Sequence, residues 1–481
     1  MPRPSLPPDP NAESLLIFSD VHLGSDLNDR AEGPKRSARI DRDLIDFLEH
    51  YARTPAPKGR WRMVIAGDFI DFIGMTVTPS DDAPLSTELN EEEREHGLGS
   101  ARDHARAKLR RVAKRHEDVF AALGAFLARG HTLTVVHGNH DVEFHWDEVK
   151  DDLRDVLAAH ARRASPDVDE DELRARVDFN VWFFYWKGVA YIEHGHQYDP
   201  YCATENAMAP LSPLDPRRVA RGFSDVLLRY VVRPTRGMFD HGHERMGAID
   251  YVRFGVGLGA RGAWALFVRF ARAVIELFRL RRAHFSEAAQ ALRAEHERRM
   301  ELLAEATRIG RDRVRALAAL QAPPVTRSIR GILASVLLDR LALGLAASIS
   351  MIVFAALGAW HGQFLVALAL VAIAWPLAHW QLARARKIDP ADEMLDRAHH
   401  LARLLPAAFV VMGHTHTPTF RPIGHGATYV NLGAWAEEEP SSPGAAAEEA
   451  PRTHLVLHIE DGRPVADLRT WSPTGPRRYG A

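Results

Sequence analysis

Four short apolar runs in the sequence each end abruptly in polar residues. The runs cover residues 14–22, 62–69, 132–140 and 405–416. An unbroken apolar run of this kind is typical of a strand that is buried on both faces. The pattern therefore predicts four buried strands, each followed by polar side chains at its carboxyl end.

Helical patterns alternate with these strands. Between Ile40 and Tyr51, apolar residues recur at i, i+4, i+7, i+8 and i+11, which is the spacing of one helix face. A second helix is predicted over Val112 to Leu127, closed by Gly130. Strand and helix in alternation predict an α/β fold.

Hairpin signals follow the alternating region. The stretch from Phe179 to His194 holds two strand runs joined by Lys187-Gly188, and similar signals occur at 419–435 and 453–471. Hairpins add antiparallel strands to the parallel ones, so the core is predicted to be a layered α/β sandwich with mixed sheets.

From about residue 210 to 323 the strand pattern is replaced by helical sequence rich in Arg and Ala. This insert separates the strand that ends at His194 from the strand that ends at His414, so the α/β domain is predicted to be discontinuous. The predicted organisation is a disordered segment 1–12, a first part of the α/β domain 13–209, a helical insert 210–337, an apolar helical hairpin 338–383 and a second part of the α/β domain 384–481.

The hairpin is long enough to cross a bilayer. Leu341–Ala359 and Phe364–Trp380 contain no charged residue, and at 1.5 Å per residue they form helices of roughly 28 and 25 Å. Arginines flank both ends of the pair, whereas the link between the helices has none. This charge pattern predicts a two-helix transmembrane hairpin with both ends and the α/β domain on the cytoplasmic side, as in a bacterial inner membrane. The alternative is a hydrophobic hairpin buried in a large soluble domain or dimer.

A further amphipathic stretch, residues 264–280, is too charged to span a membrane. A helix of this kind lies on the membrane surface or packs on the core, and the sequence leaves both open.

Amino-acid composition excludes fewer classes of function than the hydrophobic pattern does. Lys and Arg number 61 against 63 Asp and Glu, a formal net charge of −2, so no strong global field favours nucleic acid. The single cysteine, Cys202, has no partner for an internal disulfide, which suits a reducing compartment. No secretory signal is expected in the Pro-rich residues 1–11. The acidic segments 80–95 and 437–451 are predicted to be solvated loops.

Five polar motifs occupy five predicted strand ends. In sheets of this kind, ligands bind outside the carboxyl ends of the strands, so the motifs are expected to converge. Their carboxylate, imidazole and amide groups are ligands for divalent first-row metals such as Mn, Fe or Zn. The motifs are Asp20-x-His22, Gly67-Asp68-x-x-Asp71, Gly138-Asn139-His140-Asp141, His194-Gly195-His196 and Gly413-His414-Thr415-His416.

In this order the five motifs resemble those of the calcineurin-like metallophosphoesterase superfamily, over residues 14–200 and 400–436. The resemblance implies a four-layer αββα sandwich and an enzyme that hydrolyses phosphate esters or pyrophosphates. It implies two divalent ions, manganese first with iron or zinc as alternatives, and attack by a hydroxide that bridges them. One ion would be bound by Asp20, His22, Asp68 and His416, and the other by Asp68, Asn139, His194 and His414.

The same resemblance gives His140 a catalytic role, either stabilising the transition-state oxyanions or protonating the leaving oxygen. Asp71 would orient the imidazole, with Asp141 as the alternative partner. In the His-Gly-His motif, His194 is preferred over His196 as the ligand because a residue at a strand end is held more rigidly.

Other functions remain open at this point. A nuclease of the same superfamily needs a basic track, for which the Arg-rich region 217–340 is a candidate, although nucleic acid is the less favoured partner. A non-catalytic membrane scaffold would be expected to lose metal ligands, and all seven are present. The sequence is also distantly similar to UDP-2,3-diacylglucosamine hydrolases, but it has His140 where those enzymes carry Arg. Because the hairpin interrupts the catalytic domain, a lipid-linked phosphate is the predicted substrate class.

Overall fold

The computed structural model describes residues 12–29, 38–80, 84–235, 237–238, 248–361, 364–385, 389–436 and 451–480. It is a mixed α/β protein with two mixed sheets, as the sequence predicts. The strands are β1 (Glu13–Phe18), β2 (Arg60–Ala66), β3 (Thr132–Val136), β4 (Val177–Asn180), β5 (Phe183–Trp186), β6 (Ala190–Glu193), β7 (Phe409–Met412), β8 (Thr419–Gly424), β9 (Ala427–Asn431), β10 (Thr453–Glu460), β11 (Arg463–Thr470) and β12 (Arg477–Arg478).

The larger sheet has the strand order β12-β11-β10-β1-β2-β3-β4, and the smaller sheet has the order β5-β6-β7-β9-β8. Strands β1 to β4 run parallel to one another, while β10 joins β1 in the antiparallel sense. In the smaller sheet β6, β7 and β9 are parallel. Both sheets therefore have a block of parallel strands whose carboxyl ends lie on one edge.

Helices connect and cover the strands. They are α1 (Ala38–Arg53), α2 (Glu91–His96), α3 (Arg102–Arg115), α4 (Glu117–Ala128), α5 (Asp147–Ala164), α6 (Glu170–Ala175), α7 (Phe223–Leu227), α8 (Ala248–Gly257), α9 (Gly259–Ala283), α10 (Glu287–Thr307), α11 (Arg311–Ala318), α12 (Ile329–Ser335), α13 (Leu338–His361), α14 (Phe364–Ala385) and α15 (Ala391–Leu404).

The alternation of side chains along β1 shows how the layers are built. Leu15 and Ile17 point into a core shared with the smaller sheet, where Val411 of β7 also lies. Leu16 and Phe18 point to the opposite face, into the core beneath α1, α4 and α5. Side chains alternate between the two faces of a strand, and both faces of β1 are covered by a core. Every residue of β1 is therefore buried, which explains its unbroken apolar run. A third core packs α10, α11 and α15 against the smaller sheet.

The insert has a core of its own. Helices α7, α9 and α12 bury Val226, Leu277 and Ile332 against one another. Helix α7 continues into a π-helical segment, Leu228–Val232, and the described residues 210–323 form no strand beyond the isolated bridges of Leu211 with Val219 and of Arg218 with Ala101. The described part of the predicted insert is therefore mainly helical, with a non-helical segment over residues 210–222.

Two sequence predictions are wrong in detail. The helix predicted over 112–127 is two helices, α3 and α4, that break at His116, whose ring accepts from the Gly24 N–H and contacts the Asp41 carboxylate at 2.7 Å. The segment 80–95 is not wholly loop, because Asn90 caps α2 with a capping box. The predictions for residues 1–11 and 437–450 lie outside the described residues.

One helical stretch among the described residues is long and apolar enough to cross a membrane. It covers Leu338–Ala356, with a mean hydropathy of 1.7 and none of it buried. A shorter apolar stretch, Leu368–Leu382, lies in α14, which packs against α13. Large apolar side chains on both helices face outward, such as Ile352 at 69% exposure and Leu365 at 74%.

Candidate metal centre

The five motifs meet at the shared edge of the two sheets. Hydrogen bonds join the motif loops there. The His414 N–H donates to Asp20 Oδ2 of the larger sheet at 3.2 Å, and the Gly413 N–H donates to the His194 carbonyl within the smaller sheet at 3.0 Å. The motifs follow their strands directly, with Asp20 after β1, Asp68 after β2, Asn139 after β3, His194 after β6 and His414 after β7.

The first group of donor atoms comprises those of Asp20, His22 and His416. His416 Nε2 lies 3.1 Å from Asp20 Oδ1, and His22 Nε2 lies 3.9 Å from the same oxygen. His22 Nε2 is also 3.8 Å from Asp68 Oδ2. Donor atoms that bind one small divalent ion are about 3–4 Å apart, so this group fits such an ion.

The second group is built around His194. Its Nε2 lies 3.1 Å from Asp68 Oδ2 and 3.1 Å from Asn139 Oδ1. Its Nδ1 lies 2.9 Å from the Ala66 carbonyl. This contact fixes the ring and leaves Nε2 free to bind a metal ion. Asp68 thus belongs to the second group and also lies 3.8 Å from His22 of the first, so one carboxylate adjoins both groups.

His414 lies beside the second group with a partner that the sequence analysis did not name. Its ring is 5.3 Å from that of His194, centroid to centroid, and its Nε2 is 3.1 Å from Asp199 Oδ2. Asp199, Cys202 and His414 place donor atoms within 4.8 Å of one another. The seven predicted ligands are therefore gathered at one edge, and Asp199 joins them.

At three of the motif glycines, a predicted metal ligand lies against the position that a Cβ atom would occupy. A Cβ on Gly67 would come within 2.4 Å of the His194 ring, and one on Gly138 within 2.0 Å of Asp68 Oδ1. A Cβ on Gly413 would meet Asp20 Oδ2 at 2.5 Å. Each glycine makes room for a ligand from another strand end, which explains why Gly precedes a ligand in three of the motifs.

The backbone is strained where the predicted ligands lie. Ten non-glycine residues in the described chain have positive φ, and five of them are predicted ligands. A left-handed conformation costs energy for any residue with a Cβ, and such residues cluster at functional sites. The five are Asp20 (φ 56°), His22 (49°), Asp68 (54°), His414 (69°) and His416 (57°).

The charge states of Asp20, Asp68 and His22 suit metal binding. Burial raises the pKa of Asp20, but His194 and His416 outweigh it and bring the pKa to about 2. Burial acts upward on Asp68 as well, yet His194 and His140 hold its pKa well below the usual range. Burial lowers the pKa of His22 to about 4. At neutral pH the carboxylates are charged and His22 is neutral, which are the ligand forms. For His194, burial lowers the pKa, but Asp68 and Asp20 outweigh it and raise the pKa to about 9, so a bound ion would displace its proton.

His140 is held by Asp71. Its Nδ1 lies 2.7 Å from Asp71 Oδ1, and Arg233 donates to Asp71 Oδ2 at 3.2 Å. Burial lowers the pKa of His140, but the carboxylates of Asp68 and Asp71 outweigh it and raise the pKa to about 10. The His140 side chain is 15% exposed, more than its partner Asp71 at 2%. This leaves a cationic imidazole at the accessible side of the site.

The alternative residues have other contacts. Asp141 accepts from the Phe69 N–H at 2.8 Å and the Gly138 N–H at 2.6 Å, so it joins two ligand loops instead of contacting His140. His196 is buried with its Nε2 2.9 Å from the Gln197 side-chain nitrogen, and its ring is 5.4 Å from that of His194. Of the two carboxylates, Asp71 is therefore the one in contact with His140, and His194 is the histidine in contact with Asp68 and Asn139.

A cleft that is open to solvent adjoins Asn139. The insert supplies much of its charged lining, Arg221, Asp225 and Arg229, and the α/β domain supplies Lys108 and Glu143. Burial lowers the pKa of Lys108 to about 7. The insert thus forms a wall of the space beside the metal centre.

The sequence analysis did not predict two of these contacts, that of Asp199 with His414 and that of Arg233 with Asp71. Asp199 follows His194 by five residues in the same loop, so its proximity was a usable signal. Arg233 belongs to the insert, 162 residues from Asp71, and no local pattern marks it.

The sequence matches no family model and no curated protein. The geometry of the site is therefore the basis for assigning a function to this protein.

Proposed function

We propose that this protein is a metal-dependent phosphoesterase of the calcineurin-like superfamily. The observation that carries the proposal is the position of Asp68, whose carboxylate lies 3.1 Å from His194 Nε2 and 3.8 Å from His22 Nε2. One carboxylate shared by two donor groups is the arrangement needed for two ions held side by side. Manganese, iron and zinc all accept this set of oxygen and imidazole donors.

Divalent ions bound in the two groups would activate water and withdraw charge from phosphoryl oxygens. The chain itself contributes His140, which Asp71 holds by Nδ1, so Nε2 is the nitrogen left to donate to a phosphoryl or leaving oxygen. Its raised pKa keeps a proton available there at neutral pH. The substrate class is a phosphate ester or pyrophosphate.

The layering supports the same family. Helices cover the outer face of each sheet, and a shared core lies between the sheets, which is the order of an αββα sandwich. The insert interrupts this sandwich between β6 and β7, two neighbouring parallel strands. Fold alone does not define function, so the argument rests on the site.

We further propose that α13 and α14 form a membrane hairpin that tethers the catalytic domain to the cytoplasmic face of a bacterial inner membrane. The apolar stretch of α13 is exposed along its length, and α14 packs beside it. Arginines before and after the pair favour the cytoplasm for both ends. A lipid-linked phosphate or pyrophosphate is the proposed substrate, because tether and site belong to one discontinuous domain.

The nuclease alternative is weakened by how the arginines of the insert are used. Arg298 and Arg299 pair with Glu295, and Arg311 pairs with Glu305. Carboxylates alternate with arginines along α10 and α11, so these helices present charges of both signs instead of the single-sign basic track that a nucleic-acid backbone needs. Salt-dependent DNA binding by the purified protein would favour the nuclease.

The test is hydrolysis by chelator-treated protein with Mn, Fe, Zn or Mg added back. The panel should contain mono-, di- and pyrophosphate esters, each in a water-soluble and a lipid-linked form. Metal-dependent turnover of any ester that is lost in Asp68→Asn supports the proposal. Turnover that is indifferent to both chelator and Asp68→Asn contradicts it.

A further inference from the structure

Helix α9 carries two apolar stripes on different faces. The first contains Leu266, Ala273 and Leu277, which are buried in the core of the insert. Their spacing of seven and four residues keeps them on one side of the helix. This stripe explains how α9 is attached to the protein.

The second stripe faces solvent. Trp264 is 67% exposed, Phe267 62% and Ile275 68%, and the Trp264 and Phe267 rings stack with centroids 5.4 Å apart. At about 100° per residue, this stripe lies roughly 140° around the helix from the buried one. Large apolar side chains grouped on a surface in this way mark an interaction site.

Arginines border the exposed stripe. At about 100° per residue, Arg272 and Arg279 lie on one side of it and Arg281 on the other, while Arg282 lies in line with it. Arg272 pairs with Glu95 at 2.8 Å and Arg279 with Glu276 at 3.5 Å, with both guanidinium groups more than half exposed. Exposed pairs of this kind are weak, so the guanidinium groups can exchange their partners for lipid phosphate.

Helix α9 is connected to the apolar helices through its buried face. It packs on α12, whose Ile332 lies in the same core as Leu277. Only Val336 and Leu337 separate α12 from α13, where the exposed apolar stretch begins at Leu338. The helix that carries the exposed stripe is therefore attached to the base of the helix pair.

We propose that α9 lies in the plane of an anionic bilayer surface, with Trp264, Phe267 and Ile275 inserted at the level of the headgroups. An apolar arc bordered by arginines on a helix too charged to span has the composition of an interfacial helix. The inference goes beyond tethering because it orients the active site. Ile73, two residues after Asp71, packs on the same core as α9, so the metal centre is held at a fixed position above the headgroups.

The test uses the full chain reconstituted in vesicles of phosphatidylcholine with phosphatidylglycerol. An environment-sensitive fluorophore is attached through Ile275→Cys or, separately, Phe267→Cys, in a Cys202→Ser background. Lipids carrying a nitroxide near the headgroup should quench both labels strongly, and lipids carrying it at the chain end should quench them weakly. The matched control is Leu302→Cys on α10, an exposed leucine outside the stripe, which should not be quenched.

Quenching at 267 and 275 no stronger than at 302 overturns the proposal. So does a fluorescence blue shift that grows with protein concentration and ignores the nitroxide lipids, because a second copy of the chain would then cover the stripe. In phosphatidylcholine alone the quenching should weaken, since the arginines lose their anionic partners. Equal quenching in both lipids contradicts the role of the arginines. The inference rests on the proposed membrane hairpin, and because the readout needs no turnover, its failure is distinguishable from a failure of the proposed hydrolysis.

Discussion

Arg233 of the insert donates to the Asp71 carboxylate at 3.2 Å, and both side chains are almost completely buried. Asp71 in turn holds His140. A residue from outside the α/β domain therefore contributes to positioning the proposed catalytic imidazole. The insert is part of the candidate site as well as the link to the apolar helices.

The first prediction tests this contact. Arg233→Met should lower kcat by roughly tenfold to a hundredfold, because Asp71 loses the group that fixes it. KM and metal content should stay near those of the parent protein, and Arg233→Lys should recover part of the loss. Arg282→Met, on the exposed side of α9, is the control. Unchanged kcat in Arg233→Met would show that the contact does not position His140.

The second prediction concerns the shared carboxylate. Asp68→Asn should remove several kcal/mol of transition-state stabilisation, a loss of about a thousandfold or more in turnover, because both donor groups lose their common charge. Metal analysis should show weaker binding, and circular dichroism should show the helix content unchanged. Asp46→Asn, an exposed carboxylate on α1, should behave like the parent. Near-normal turnover of Asp68→Asn with any added metal would refute the two-metal assignment.

The third prediction separates a catalytic role of His140 from metal binding. His140→Ala should keep its metal ions and lose roughly 10²- to 10⁴-fold in turnover, as expected for an acid or oxyanion donor. His145→Ala, five residues along the same segment, should retain activity. If His140→Ala loses both ions, the residue is a ligand instead.

The fourth prediction concerns the contact between the insert and the α/β domain. Glu92 pairs with Arg221 and Arg229 at 2.6 and 2.5 Å. Burial raises the pKa of Glu92, but the two guanidinium groups outweigh it and lower the pKa to about 2. The stability from this contact is therefore present above pH 4.5 or so and is lost as the pH falls through about 2.

Glu92→Gln should thus lower the free energy of unfolding by roughly 3 kcal/mol at neutral pH, with the deficit shrinking on acidification. Denaturant titrations of parent and variant across this pH range measure it. Glu91→Gln, at the neighbouring exposed residue, is the control and should change the free energy of unfolding little. A deficit that stays constant down to the acid limit would exclude the ionised pair as its source.

The fifth prediction tests the lipid-linked substrate. Excising residues 338–383 and joining the flanks with a short Gly/Ser linker should leave hydrolysis of small soluble esters near the intact level. Hydrolysis of lipid-linked phosphates in vesicles should fall sharply, because the site is no longer held near them. If both substrates fall in the same ratio, the apolar helices serve only as an anchor.

The parallel strands were the most predictable part of the fold. Runs such as Leu15 to Phe18 are apolar because both faces of the strand are buried, and this signal is local. The break between α3 and α4 was not predictable, since His116 interrupts the helix to contact Asp41 and Gly24, which come from distant segments. Local periodicity carries no information on such contacts.

The same reasoning applies to the site. The ligand motifs could be found because each polar residue follows its own strand directly. The roles of Glu92 and Arg233 could not, because their partners lie 129 to 162 residues away. Glu92 lies in a segment whose acidity suggested a solvated loop, and only the folded insert brings arginines to it.

The separation of the ligands along the chain has a consequence for biosynthesis. His416 Nε2 lies 3.1 Å from Asp20 Oδ1, although 396 residues separate them. Everything between, including the insert and both apolar helices, leaves the ribosome before β7 can add to β6. A partly made chain therefore lacks one whole side of the donor set, and the proposed metal centre closes only after residue 416 has left the ribosome.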